Sequence, residues 1–312
     1  MSTGTTIELK ELVDDTYAEG FRSIYGEILV TARSTRWLQH CVAAVVGHAS
    51  STILCDCEAG VSQWIDEQQA VDGGTPDGRP GAVIQFHVPR FVKNRRRHLE
   101  KVMLARISQN VLTCPSARCF NRLDTEDYFK LGRKVAMFGD RHQFRDQRDG
   151  QKGWVVPILG GEFFLSSRFG FRDGVMGGNL WFFGGNEDVA LDAAERAAEA
   201  VDQTTDVITT FPGGIAASGS KAGSSYDFLI AATYAEYCPT LKEKLGEKSK
   251  VPNGVGSIME IILNGRDLES LQQATRNAIH AAAKTPNLIR ISAGNYGGRL
   301  GKSLIHLHEL IS

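Results

Sequence analysis

Asn179-Leu180-Trp181-Phe182-Phe183 is an apolar, aromatic run of strand length, and the order of elements after it decides the fold. An Ala-rich stretch capped by Asn186 continues through Val189, Ala193, Ala197 and Val201 at helical spacing. Asp206-Val207-Ile208-Thr209-Thr210 reads as a second strand entering the turn Pro212-Gly213-Gly214-Ile215. After an insertion comes the strand Gly256-Ser257-Ile258-Met259-Glu260-Ile261-Ile262-Leu263. A helix with apolar positions Leu268, Leu271, Ala278 and Ala282 comes next, then the strand Leu288-Ile289-Arg290-Ile291. The order is β-α-β-β-α-β, the split βαβ motif.

The first half carries the same order. Gly26–Thr31 is a strand, Leu38, Cys41, Val42 and Val45 form a helical stripe, and Ser51–Cys55 is a second strand. The Gly/Pro-rich loop 73–81 leads to the strand Ala82–His87. A helix centred on Leu99, Val102 and Met103 and the strand Val111–Cys114 complete the set. The expected class is therefore α+β, with two duplicated ferredoxin-like (split βαβ) lobes related by pseudo-twofold symmetry. The polar segment Asp124–Lys152 reads as their connection, which places the lobes at 1–152 and 153–312. Leu241–Lys250 reads as a surface insertion.

A chain of 312 residues with 42% hydrophobic content can bury the cores of two such lobes. Lys plus Arg (35) nearly cancel Asp plus Glu (36), so the net charge gives no pull toward nucleic acid or anionic membrane. The start MSTGTTIELKE is too polar for a signal peptide, and no apolar run approaches the ~20 residues of a membrane span. A cytoplasmic protein without nucleic-acid or membrane partners is expected. The six cysteines include no CxxC pair, so neither a zinc site nor a redox dithiol is supported.

Glu260 stands out as a carboxylate inside an apolar, β-branched strand. Burial there would raise its pKa above the free value of ~4.3 and leave a proton donor near neutral pH. An edge strand with Glu260 facing water is the other reading. Gln85 takes the same slot in the first half, so one lobe has an acid and the other an amide.

Other motifs carry less. Phe211–Lys221 has glycines at Walker spacing, but Ser220 separates Gly219 from Lys221 and Ala222 stands where a magnesium-binding hydroxyl belongs, which rejects an NTPase. What survives is a loop able to offer backbone N–H groups near Gly213 and Gly214, and the Lys221 cation, to an anionic ligand. Asp77 and Arg79 read either as a tight turn or as a cleft rim where Arg79 could fork onto an anion. Ser292–Gly298 is a small, polar loop that a flat ligand could approach. His306 and His308 share a face of a terminal strand, but a third metal ligand is missing. Arg168-Phe169-Gly170-Phe171 fits core aromatics better than an RNA-binding strand.

Taken together, Thr75-Pro76-Asp77-Gly78-Arg79-Pro80-Gly81, Phe211–Ile215 with Ala217-Ser218, Tyr237-Cys238-Pro239-Thr240 and Ile291–Gly298 resemble the formylmethanofuran:tetrahydromethanopterin formyltransferase family, over nearly the whole chain. The resemblance implies a homotetramer without a metal or a tightly bound cofactor. It implies tetrahydromethanopterin and methanofuran, or its analogue methylofuran, as substrates. Glu260 aligns with the catalytic glutamate, and Asp77, Arg79, Gly213, Gly214, Ser218, Lys221, Ser292 and Asn295 fall in the matched segments as substrate-binding candidates. The basic runs Arg95–His98 and Arg141–Lys152 point to a bacterial relative, a subunit of a formyltransferase/hydrolase complex. A non-catalytic carrier-binding or scaffold subunit is the alternative.

Overall fold

The computed structural model describes residues 9–312; the first eight residues of the polar start lie outside it. The described residues form two compact units, Arg22–Gly174 and residues 9–21 with Val175–Ser312.

Unit 22–174 is built on β1 (Tyr17–Thr31), α1 (Thr35–Val46), β2 (Glu58–Ile65), β3 (Gly81–Pro89), α2 (Arg95–Arg106) and β4 (Arg118–Asn121). Antiparallel pairing sets the sheet order β2-β3-β1-β4. Strand alternation divides the side chains. Ile24, Ile28 and Val30 of β1 and Ile84, Phe86 and Val88 of β3 pack with Leu38, Cys41 and Val45 of α1 and Leu99, Val102 and Met103 of α2. Gly26 lies in this set because an added Cβ would overlap Met103 Sδ. The alternate set carries Tyr25, Glu27 and Leu29 opposite His87, Gln85 and Val83. Gln85 is fully buried and hydrogen-bonds His87, whose pKa burial holds well below the usual range, at about 3.

The segment 124–152 is not a linker. It holds the helix Leu131–Ala136 and β5 (Phe144–Arg148), which pairs with β6 (Gln151–Ile158). β6 pairs in turn with β7 (Gly161–Ser166), and β7 runs parallel to β4. These ladders carry the unit on to residue 174, beyond the expected division at 152.

Two expected strands also move. Ser51–Cys55 is a turn closed by Ser51 O, and the Glu58 carboxylate accepts from both the N–H and the hydroxyl of Thr52 (3.1 and 3.2 Å), so the strand begins at Glu58. Val111 ends the helical run beyond α2, with Leu112 N–H donating to Ile107 O, residues 112–114 turn, and the strand forms at Arg118.

The other unit agrees closely with the sequence pattern: β8 (Phe169–Gly184), α3 (Glu187–Asp202), β9 (Val207–Thr209), β10 (Ser257–Gly265), α4 (Leu268–Ala282) and β11 (Leu288–Ser292). Its sheet order is β9-β10-β8-β11. Asn186 and Asp267 cap α3 and α4 through Val189 N–H (2.9 Å) and Ser270 N–H (2.8 Å). Buried Ala190, Ala193, Ala194 and Ala197 meet Ala274, Ala278 and Ala282, small side chains that let two helices lie close on one sheet face. After Ser303–His306 the chain turns into the helix Leu307–Leu310, so His306 and His308 do not share a strand; His308 Nε2 bonds Val13 O at 2.8 Å. Among the described residues no cluster of three or more His, Cys, Asp or Glu could hold a metal.

Candidate functional site

The face of β8, β10 and β11 turned away from the helices carries Asn179, Trp181, Glu260 and Ser292. Register pairs Glu260 with Trp181 on one side and with Ala216 of the short strand Ile215–Ala216 on the other. Glu260 is thus on an interior strand and 6% exposed, which excludes the water-facing edge. Its Oε1 accepts from Asn179 Nδ2 and from Trp181 Nε1, both at 2.9 Å. Burial pushes its pKa up, opposed by the Trp181 and Asn179 donors, and the net direction is upward.

The insertion between Ile215 and Val255 covers this face. Tyr234 and Tyr237 stand edge-on to Trp181 at 5.1 and 5.0 Å, with Val251 and Val255 packed beside Trp181 and Phe183. The three aromatic rings wall two cavities. One, of about 190 Å³, is lined further by Ala216, Ser218, Thr233, Cys238 and Glu260. The other, of about 450 Å³, is lined by Asp14, Thr16, Glu236, Lys250, Ser292 and Asn295. Apolar walls keep the carboxyl dry, and polar groups at the neighbouring rim can orient a ligand.

A loop held from below completes the second cavity. Glu19, 2% exposed, accepts from the N–H groups of Tyr296 (2.5 Å), Gly298 (2.7 Å), Leu300 (2.9 Å) and Gly301 (2.9 Å). Asn295 Nδ2 donates to Thr16 Oγ1 at 3.1 Å. Gly294 has a steric reason: an added Cβ would lie 2.7 Å from Trp181 Cζ2 and 2.9 Å from Asn179 Nδ2. Gly294→Ala should therefore displace both donors to Glu260. We expect kcat to fall about tenfold or more with the fold retained, measured by steady-state kinetics beside circular dichroism.

The expected site residues thus separate. Ser218 shares a cavity with Glu260, and Ser292 and Asn295 line the adjoining one. Gly213 and Gly214 form a 3₁₀ turn lining neither, and Gly214 N–H already donates to Phe211 O, so it is no free oxyanion donor. Lys221 sits in a short strand paired with Ala232 and lines neither cavity. Asp77 and Arg79 belong to unit 22–174 and bond each other: Asp77 Oδ2 accepts from Arg79 Nε (2.7 Å) and Thr31 Oγ1 (2.9 Å), Arg79 also donates to Ser116 O (2.6 Å), and Asp77 Oδ1 stays buried without a partner. They fasten a loop to β1 rather than presenting a free fork. Asn179, Trp181, Tyr234 and Tyr237 were missed as site residues. Strand alternation puts Asn179 and Trp181 on one face, but their meeting with Glu260 depends on long-range register.

Unit 22–174 has its own groove, of about 1110 Å³, lined by Arg122, Lys130, Arg133, Arg145, Lys152 and Arg168 against Asp124 and Asp146. Its chemistry is anion attraction, without a buried acid.

The chain matches the family "Formylmethanofuran-tetrahydromethanopterin formyltransferase" over residues 8–158 and its proximal-lobe family over residues 161–310. It belongs to this formyltransferase family. The formyltransferase of Methanosarcina acetivorans is 41% identical over 300 residues, covering 96% of this chain and 97% of that protein. That of Methanocaldococcus jannaschii is 39% identical over 303 residues, with the same coverage. Among solved structures, the Methanosarcina barkeri formyltransferase matches with a TM-score of 0.90 at 38% identity, covering 97% of this chain and 99% of that one. A chain of the formyltransferase/hydrolase complex from Methylorubrum extorquens, solved with methylofuran, matches with a TM-score of 0.86 at 34% identity over 96% of each chain. The mixed α/β fold of the formyltransferase family is thereby shared, while these identities do not single out a bacterial origin. The family division at 158/161 lies closer to the expected 152 than does the compact-unit boundary.

Proposed function

We propose that this chain transfers a formyl group between formylmethanofuran, or a methylofuran analogue, and N5 of tetrahydromethanopterin. The transfer passes through a tetrahedral intermediate in a ternary complex, with both carriers as substrates. One observation carries the mechanism: Glu260, a carboxyl whose burial favours the protonated form, lines one of two cavities that share an aromatic wall. The incoming amine attacks the formamide carbon, the carbonyl oxygen gains negative charge, and the Glu260 hydroxyl donates to that oxygen. One such donor in a water-poor site lowers the barrier by about 3–4 kcal/mol. Collapse breaks the C–N bond to the other amine, which takes up the one proton that the attacking amine gives up, and the oxygen returns to a carbonyl with the Glu260 proton back on its carboxyl. Alignment of two carriers that bring their own nucleophile and electrophile supplies the rest.

Ser218 at the inner cavity and Ser292 and Asn295 at the outer one are the substrate-binding residues this geometry supports. The same order of elements and the same second-third-first-fourth strand order in both units support two duplicated ferredoxin-like lobes. A homotetramer, or an assembly with hydrolase subunits, would cover Tyr226, Phe228 and Ile230, which are 63%, 80% and 66% exposed on one hairpin. Six free thiols fit a reducing cytoplasm.

The test is an absorbance assay of the purified chain with formyl-tetrahydromethanopterin and the furan amine. Exchange is expected, with sequential kinetics. Binding of both carriers without exchange would make the chain a scaffold, and a trapped formyl-enzyme would replace direct transfer by a covalent route.

A further inference from the structure

Glu260 has two chemically distinct oxygens, and the structure tells them apart. Both hydrogen bonds, from Trp181 Nε1 and Asn179 Nδ2, end on Oε1. An indole nitrogen can only donate, so the lone pairs of Oε1 are held by these two N–H groups. Oε2 has no hydrogen-bond partner among the described residues, yet it is not among the side-chain atoms that are sealed and unpartnered. It is the carboxyl atom left to meet the 190 Å³ cavity that Glu260 lines.

A protonated carboxyl has one carbonyl oxygen, which accepts, and one hydroxyl oxygen, which donates. Two donors aimed at Oε1 make it the carbonyl and place the hydrogen on Oε2. We propose that Trp181 and Asn179 are positioning residues that confine the Glu260 proton to Oε2 and aim its O–H into the cavity. This rests on the formyl-transfer reading above and deepens it. Without the two donors the carboxyl could carry its hydrogen on either oxygen and rotate about its terminal bond. A fraction of molecules would then point a lone pair at the developing oxyanion.

The same two residues make the pair a tuned one. Their N–H groups favour the carboxylate, while burial favours the acid. Removing one donor therefore raises the pH at which Glu260 ionises, even as it loosens the acid's aim. A merely structural side chain would not produce that combination.

Trp181→Phe keeps most of the aromatic contact with Tyr234 and Tyr237 and removes only the N–H end of the ring. Asn179→Ala leaves the indole in place and removes the other donor. Each is expected to lower kcat about tenfold with KM little changed, since one hydrogen bond to a charged or ionisable group is lost. Each should also move the alkaline limb of the kcat–pH profile to higher pH. In a Glu260→Gln background each substitution should cost clearly less than in the wild type, because the amide N–H that takes the place of the acid proton is a weaker donor with less to lose from misalignment. An unshifted alkaline limb in both folded variants, or an equal loss in the Glu260→Gln background, would overturn the positioning role. Full turnover by Glu260→Gln alone would instead overturn the formyl-transfer role of Glu260, a separate outcome.

Discussion

Glu260→Gln should lower kcat by about 10²-fold or more and leave KM within about twofold in steady-state kinetics. The substitution keeps size and neutrality, and Trp181 and Asn179 can still donate to the amide oxygen as they do to Oε1. The amide nitrogen then replaces Oε2. It offers a weaker hydrogen bond to the oxyanion and has no proton to hand over, so loss falls on the transition state rather than on binding. A variant with near-normal kcat would remove Glu260 from the reaction.

The wild type should also lose activity as pH rises through the elevated Glu260 pKa, because ionisation removes the donor. Stability has the same sign. Between the unfolded pKa, near ~4.3, and the higher native one, the folded state binds more proton than the unfolded state, so folding weakens as pH rises. Glu260→Gln escapes that cost. Relative to the wild type it should become more stable with increasing pH, measured by urea unfolding at several pH values. An acid kept for chemistry at some expense of stability is a common property of active sites.

Glu19→Gln should give the largest stability loss, about 3 kcal/mol near neutral pH. Burial pushes the Glu19 pKa up, but the four backbone donors of Tyr296, Gly298, Leu300 and Gly301 outweigh it and hold the carboxyl below its ordinary range. Glutamine presents an NH₂ group to N–H groups that need an acceptor, so at least one pair faces a like partner. The loop from Gly294 to Gly301 loses its anchor, and with it the Ser292–Asn295 wall of the outer cavity. Because the folded pKa is depressed, this stabilisation is complete above the unfolded value and disappears as pH falls through the folded one. Urea unfolding from pH 7 down to about pH 3 should show the wild type and Glu19→Gln converging at the acid end. A constant gap across that range would mean that Glu19 stabilises by packing rather than by charge.

The sequence was most legible where local pattern and long-range structure agree. Asn186 and Asp267 cap helices whose apolar stripes continue without interruption, and both helices lie where their spacing puts them. Glu260 was visible because a carboxylate in a β-branched run is rare enough to need a reason. The strand expected at Ser51–Cys55 failed because Ile53 and Leu54 remain on the surface while Glu58, six residues beyond Thr52, closes a turn on that residue. Propensity alone could not see that closure. Asp77 and Arg79 were chemically plausible ligands, and only coordinates show that Arg79 is tied to Asp77 and Ser116 and that Thr31 bonds Asp77 Oδ2. Trp181 and Asn179 are the converse case. Their role needs the register between β8 and β10, across some eighty residues of chain, which no local pattern states.

The proton on Glu260 is the quantity on which the mechanism turns, and infrared difference spectroscopy reads it without substrate. The difference between wild type and Glu260→Gln at pH 7 should contain the carbonyl stretch of a protonated, hydrogen-bonded carboxyl. Raising the pH should convert that band into the paired bands of a carboxylate. A spectrum that shows only carboxylate at pH 7 would contradict the account.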